Sequence, residues 1–289
     1  MITDEQLEII KSIQKLQDDL ITGLDDKLPV IFKDLSDQVI AIADTLDFDP
    51  KKRVENLQKL RSLKSQILKT ITENVAYQEG VKEVLNGFKE LKKLSDSYYS
   101  VLIDGYSAKS ELYAQILASN IEITQDLLLG AGIRENFSNA ISEVLKENIA
   151  GNTSRTNLNK VLRDFIKGTD TEKAYLNRYI KQTTNDAVMV FSREYNSVVS
   201  SDLNLSYFAY VGTRIDTSRP FCDARAGRYF KKSEVESWAS LGNWDGRMAG
   251  TTKTTIFSFL GGWNCRHELY PITKSQYIAA EKKGLAGLR

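Results

Sequence analysis

The stretch YFAYVGTRIDTSRPFC, residues 207–222, marks the point at which this 289-residue sequence changes character. Its first five residues are aromatic or β-branched except for one alanine, and Gly212 follows them, which predicts a short strand. Composition changes at the same place, because both cysteines, the only histidine, all three tryptophans and nine of the 17 glycines follow residue 200. The end of the chain is therefore expected to form a separate module.

Residues 201–289 are predicted to form a small α+β module that contains Cys222 and Cys265. Its remaining elements are short segments: a helix at 233–241, a strand or extended segment at 251–260, a tight turn at 261–262 and a last strand at 267–272.

Upstream of this module the sequence predicts helices. No proline occurs between Pro50 and Pro220, so no residue between them forces the helical hydrogen-bond ladder open. Apolar residues recur at steps of three and four over most of this stretch. We predict a mainly α protein, with long N-terminal helices at residues 1–105, as a bundle or coiled-coil hairpin, and a helical bundle region at residues 106–200.

Capping residues, prolines and glycines predict the helix boundaries. Helices are expected to begin at Asp4, Pro29, Asp49-Pro50 and residues 170–172. They are expected to end at residues 130–132, Gly151 and Gly168, with Gly80 and Gly87 as breaks or kinks. The apolar stripes between these points either bury one another or leave one face for a partner protein.

Charge and hydropathy argue against several classes of protein, namely highly charged nucleic-acid-binding proteins, membrane proteins and secreted proteins. The formal net charge of +1 argues against nucleic-acid binding through bulk charge, although residues 201–289 carry 13 basic and 8 acidic side chains. No stretch approaches the roughly 20 apolar residues of a membrane helix. The start, residues 1–6, has neither the basic nor the apolar region of a secretory signal. We expect a soluble protein made inside a cell.

Three side chains of the module are candidate ligands for a metal. Cys222, Cys265 and His267 offer two thiolates and an imidazole, which suit zinc, and Asp216 or Asp223 would be the fourth ligand. A disulfide between the two cysteines is a second interpretation. In a third interpretation, the two cysteines are simply small, buried, apolar residues. The sequence leaves these three open.

Several arginines lie among acidic residues in the same module. They either bind phosphate or pair with Asp216, Asp223 and Glu268, and the interleaving favours internal pairing. The arginines are Arg214, Arg219, Arg225, Arg228 and Arg266.

The sequence nominates no catalytic residue. The motifs GxxxxGK[ST], GxGxxG, HExxH and GxSxG are absent, and a single histidine excludes sites that need two. His267 is therefore interpreted as a structural residue or a metal ligand, and no enzyme activity is expected.

Five segments of the module carry a resemblance to a known family. They are, in order, YVGT (210–213), DTSRPFC (216–222), GRYF (227–230), GWNCRH (262–267) and PI (271–272). Together they resemble the C-terminal module of phage minor head proteins, the Mu F-like head morphogenesis family. The resemblance covers roughly residues 120–272 and includes the preceding helix, residues 172–200, with Arg178, Thr184, Asn185 and Arg193. The family often has His-Pro before its Asn-Cys-Arg, where this chain has Gly262-Trp263 and a histidine after the arginine.

The resemblance implies a structural, low-copy component of a tailed-bacteriophage head. Such a virion protein would be made in the host cytoplasm and sit inside the capsid near the portal vertex. It would assist head morphogenesis in several copies, with the portal and/or major capsid protein as partners and packaged DNA as a further contact. No membrane partner is expected. No cofactor is expected either, and the alternative is a bound zinc ion.

A second hypothesis is a metal-dependent enzyme that acts on nucleic acid. It would use Cys222, Cys265 and His267, and it would need an open coordination position and a general base beside the metal.

Overall fold

A computed structural model describes residues 1–151, 153–169 and 174–288 of the chain. It is 69% helical, with long N-terminal helices and a small three-stranded antiparallel sheet near the C-terminus. The predicted fold class, mainly α with a small α+β module, is therefore confirmed.

The helices upstream of the sheet are long. In chain order they are α1 (Asp4–Ala43), α2 (Arg53–Thr72), α3 (Val75–Leu102), α4 (Glu111–Leu129), α5 (Ala131–Ile133), α6 (Asn139–Ala150), α7 (Arg155–Lys167) and α8 (Tyr175–Asp202), with a 3₁₀ turn at Pro50–Lys52 and a π turn at Arg134–Ser138.

Most of the predicted helix boundaries agree with these bounds. The Asp49 side chain accepts a hydrogen bond from the Lys51 backbone N–H and begins the turn that leads into α2. Helix α4 ends just before Gly130, and α6 and α7 end at Gly151 and Gly168. The start expected at residues 170–172 lies outside the described residues.

Three expected interruptions, at Pro29, Gly80 and Gly87, are absent from the described helices. Helix α1 continues through Pro29, because Ile31, Phe32 and Leu35 beyond it are buried and their packing offsets the lost hydrogen bond. Helix α3 continues through Gly80, where a Cβ would lie 2.6 Å from Leu24 Cδ1. That glycine permits two helices to approach closely rather than breaking one.

The sheet consists of β1 (Tyr207–Val211), β2 (Arg228–Lys231) and β3 (Glu268–Ile272), in the order β2-β1-β3 with both pairs antiparallel. The strands predicted at 207–211 and 267–272 are confirmed. Val211 pairs with Glu268. This register brings the residue that precedes β3, His267, beside the residue that follows β1, Gly212.

Four short helices complete the module. They are α9 (Pro220–Asp223), α10 (Lys232–Trp238), α11 (Ile256–Phe259) and α12 (Lys274–Glu281). The extended segment predicted at 251–260 is wrong, because Ile256 and Phe257 are buried on one helical turn. The helix predicted from Ser233 begins one residue earlier, and the Glu234 carboxylate accepts the Lys231 backbone N–H at its start.

The chain forms two compact units, each assembled from separate segments. One consists of Met1–Asp19, Asn86–Ile121 and Asn185–Arg289 and contains the sheet. The other consists of Leu20–Leu85 and Glu122–Thr184, and in it α2 packs against α6 and α6 against α7. The division into 1–105, 106–200 and 201–289 stays a prediction.

Among the described helices, none combines the length and the hydrophobicity that a membrane crossing requires.

Candidate metal centre

Two cysteines and a histidine meet in the core of the sheet-containing unit. Cys222 lies on α9, while Cys265 and His267 lie in the loop that leads into β3. Their side chains are 3%, 4% and 6% exposed. The candidate ligand atoms all lie within 4.8 Å of one another, and this group can hold a metal ion.

The sulfur–sulfur distance in this group fits one tetrahedral ion. The two Sγ atoms lie 3.7 Å apart, and Cys265 Sγ lies 3.9 Å from His267 Nδ1. Two thiolates bound to one zinc at about 2.3 Å lie about 3.8 Å apart in a tetrahedron. Both cysteines are free, since a disulfide requires a sulfur–sulfur distance of about 2.05 Å.

The turn at Gly261 leaves room for the two sulfurs. A Cβ on Gly261 would lie 2.4 Å from Cys222 Sγ and 2.9 Å from Cys265 Sγ. A Cβ on Gly212 would lie 2.4 Å from His267 Cδ2. Each glycine therefore stands where a side chain would displace one of the three candidate ligands.

Gly261→Ala is expected to destabilise the protein by about 1–3 kcal/mol, because the added methyl group overpacks the two sulfurs. Gly242→Ala is the matched control, since no atom of the described residues lies within 4 Å of the position that its methyl group would occupy. It should change stability by less than about 0.5 kcal/mol. Urea unfolding measures both. Equal, small effects would contradict close packing at Gly261.

Arg193 of α8 holds the loop that carries Cys265 and His267. The side chain is 2% exposed, and its Nε donates to the His267 carbonyl at 2.9 Å. Its Nη1 donates to the Ser258 carbonyl at 3.2 Å, and its Nη2 donates to the Cys265 carbonyl. One buried guanidinium thus fixes the backbone on both sides of Arg266.

Neighbouring polar groups fix the same loop. The Asp186 carboxylate accepts the Asn264 backbone N–H at 2.7 Å, and burial raises the pKa of this carboxyl. Arg266 donates to the Asn185 side-chain oxygen at 3.2 Å and to the Asp18 carboxylate at 2.7 Å. The positions of Cys265 and His267 are therefore set mainly by contacts to the backbone around them.

The two thiols differ in acidity. The pKa of Cys265 is held well below its ordinary value, because the Cys222 thiol donates to its sulfur and the Arg193 guanidinium lies nearby. The same interaction with Cys265, together with burial, raises the pKa of Cys222. The interaction between the two sulfurs therefore favours ionisation of one thiol, and the thiolate is the form in which cysteine binds a metal.

The group opens onto a cavity of about 610 Å³. Most of the residues that line it are polar, and they come from four segments of the same unit. The lining residues besides the two cysteines and the histidine are Gln14, Gln17, Asp18, Met189, Thr213, Ile215, Thr217, Ser218, Arg219, Asn264 and Arg266.

The aspartates expected as a fourth ligand lie elsewhere. Asp216 is exposed in the turn that follows β1 and does not belong to the group of candidate ligands. Asp223 is exposed and its carboxylate lies 3.1 Å from Arg214 Nε. Within the described residues, the cluster of cysteine, histidine and acidic ligands comprises three side chains.

The predicted arginines mostly bind backbone carbonyls rather than acids. Arg214 donates to the carbonyls of Asp223 and Ala226 at 3.0 and 2.8 Å. Arg219 donates to the Gly261 and Trp263 carbonyls at 3.3 and 2.7 Å. Arg219 therefore joins the segment before Cys222 to the segment before Cys265.

Two further arginines follow the same pattern. Arg225 donates to the Phe221 carbonyl at 2.6 Å and lies over the rings of Phe221 and Trp238. Burial lowers its pKa. Arg228 donates to the carbonyls of Ala286 and Gly287 at 2.9 and 2.8 Å. Of the pairing with Asp216, Asp223 and Glu268 that the sequence favours, the Arg214–Asp223 ion pair is present.

Comparison of the chain with protein-family models, with curated proteins and with solved structures gives no match.

Proposed function

We propose that this protein is a structural minor head protein of a tailed bacteriophage. The observation that carries the proposal is how the segments that resemble the Mu F-like family pack together. Arg219 of one segment binds the carbonyl of Trp263 in another, and Cys222 meets Cys265. These residues hold one another in place. Such mutual contacts are expected of a motif that stabilises a fold rather than one that catalyses a reaction.

In this proposal the protein acts by binding other head proteins rather than by catalysis. The long helices provide extended surfaces for portal or major capsid subunits, and the C-terminal module provides a rigid anchor. Exposed lysines of residues 201–289, such as Lys253, Lys274 and Lys282, contact packaged DNA. The protein is present in several copies inside the head, near the portal vertex.

Within the module, the proposed metal is zinc. Zinc binds thiolate and imidazole ligands well, whereas the harder magnesium and calcium ions prefer oxygen ligands. A zinc ion would join α9 to the loop before β3, two parts of the chain that are 43 residues apart in sequence. Its role is to stabilise the module, because unfolded chains hold no such set of ligands.

Particles purified from the source of this sequence are expected to contain the protein. Mass spectrometry should detect its peptides together with portal and capsid peptides, and external protease should leave it intact until the heads are opened. A soluble protein added to the lysate before purification serves as the contamination control. Intact particles that lack the protein would contradict the proposal.

The cavity favours one other function, a metal-dependent enzyme that acts on nucleic acid. Catalytic zinc sites have three protein ligands and one open position, and here three candidate ligands line a space of about 610 Å³. Incubation of the zinc-loaded protein with single- and double-stranded DNA and with RNA tests this. Cleavage that Cys265→Ser abolishes would establish the enzyme; the structural proposal predicts none.

A further inference from the structure

The three candidate ligands leave one position of a tetrahedral metal without a protein ligand. Among the cysteine, histidine and acidic side chains of the described residues, the group consists of Cys222, Cys265 and His267. Asp216 and Asp223 lie outside it. Zinc in proteins is almost always at least four-coordinate. A fourth ligand is therefore needed, and the cavity beside the group can supply it.

The group itself shows signs of an incomplete polar environment. Within the part of the chain that the structure describes, His267 Nε2 is buried without a hydrogen-bond partner. Buried polar atoms normally have partners, because leaving one unpaired is costly. The His267 ring lies 5.3 Å from the ring of the buried Tyr210, beside the thiols.

The cavity supplies both access and a preference for charge. Its wall includes Arg219 and Arg266, against one acidic side chain, Asp18. Three hydroxyl side chains, those of Thr213, Thr217 and Ser218, line it as well. A ligand that enters this space meets hydrogen-bond donors and a net positive charge, which favour an anion.

We propose that the metal held by Cys222, Cys265 and His267 takes its fourth ligand from the cavity, and that this ligand is a small monodentate anion. The inference rests on the proposed metal centre. It deepens that proposal by making the site a binding site for an external ligand rather than a closed structural one.

Cobalt substitution tests the inference on the full-length protein. The reduced protein is freed of metal with a chelator, and CoCl₂ is added until one equivalent is bound. Thiolate-to-cobalt charge-transfer bands and strong visible bands report cobalt bound by cysteine. Sodium azide is then titrated as the monodentate anion, and the visible bands should shift with a saturable, one-to-one dependence.

Two variants separate the site from its entrance. Asp216→Asn should leave both the cobalt spectrum and the azide response unchanged, since Asp216 lies outside the ligand group. Thr217→Phe places a bulky ring on an exposed residue that lines the cavity, and it should weaken azide binding at least about tenfold while cobalt binding persists.

The outcomes distinguish the two proposals. If no thiolate-to-cobalt band forms, the metal centre itself is refuted and the inference falls with it. If the cobalt spectrum forms but azide leaves it unchanged, the metal centre stands and the open position is refuted. A shift that saturates in the wild type and weakens in Thr217→Phe supports both.

Discussion

Arg193→Met is expected to lower the free energy of unfolding by about 3–5 kcal/mol, the largest effect of any substitution proposed for this chain. The guanidinium is buried and donates to the carbonyls of Ser258, Cys265 and His267. A thioether cannot donate, so three carbonyls inside the unit lose their charged donor. Urea or thermal unfolding measures the loss.

The same substitution at an exposed position of the same helix is the control. Arg178 lies on α8 and is less buried, so Arg178→Met should change stability by less than about 0.5 kcal/mol. Because Arg193 positions the backbone of two candidate ligands, its replacement should also weaken zinc binding by about 10–100-fold. Similar stabilities for the two variants would show that Arg193 does not hold the loop.

Zinc is expected to stabilise the wild-type protein and to have almost no effect on Cys265→Ser. At a free zinc concentration about 1,000 times the Kd, binding raises the free energy of unfolding by about 4 kcal/mol. Cys265 supplies one of the two candidate thiolate ligands, and a serine hydroxyl in its place is a much weaker ligand for zinc. Unfolding with and without zinc, and after chelation, measures the difference.

Asp216→Asn provides the matched comparison for that experiment. The sequence offers Asp216 as a fourth ligand, but the structure places it on an exposed turn outside the ligand group. Its variant should therefore gain as much stability from zinc as the wild type does. Equal stabilisation of Cys265→Ser by zinc would mean that the ion binds elsewhere.

The sequence predicts local structure well where the signal is itself local. The strand at 207–211 follows from its aromatic and β-branched residues, and the helix ends at Gly151 and Gly168 follow from the freedom of glycine at a C-cap. Pro29 misleads, because burial of the residues that follow it keeps α1 continuous. The helix at Ile256–Phe259 is missed, because four residues are too few to show a helical period.

For the candidate site, the sequence identifies the residues but not their arrangement. Residue types alone nominate Cys222, Cys265 and His267, but their meeting depends on the register of β3 beside β1, which no local pattern encodes. Only the family resemblance points to Arg193 and its neighbours on this helix, since an arginine in a long amphipathic helix normally faces solvent. Its buried role becomes visible only when the loop carbonyls are placed around it.

Zinc X-ray absorption on protein purified without chelators tests most directly the central claim, that one metal ion joins the two cysteines and the histidine. The account predicts one zinc per chain, with two sulfur ligands at about 2.3 Å and a shell of lighter nitrogen or oxygen ligands at about 2.0 Å. A protein free of zinc, or a zinc shell without sulfur, would contradict it.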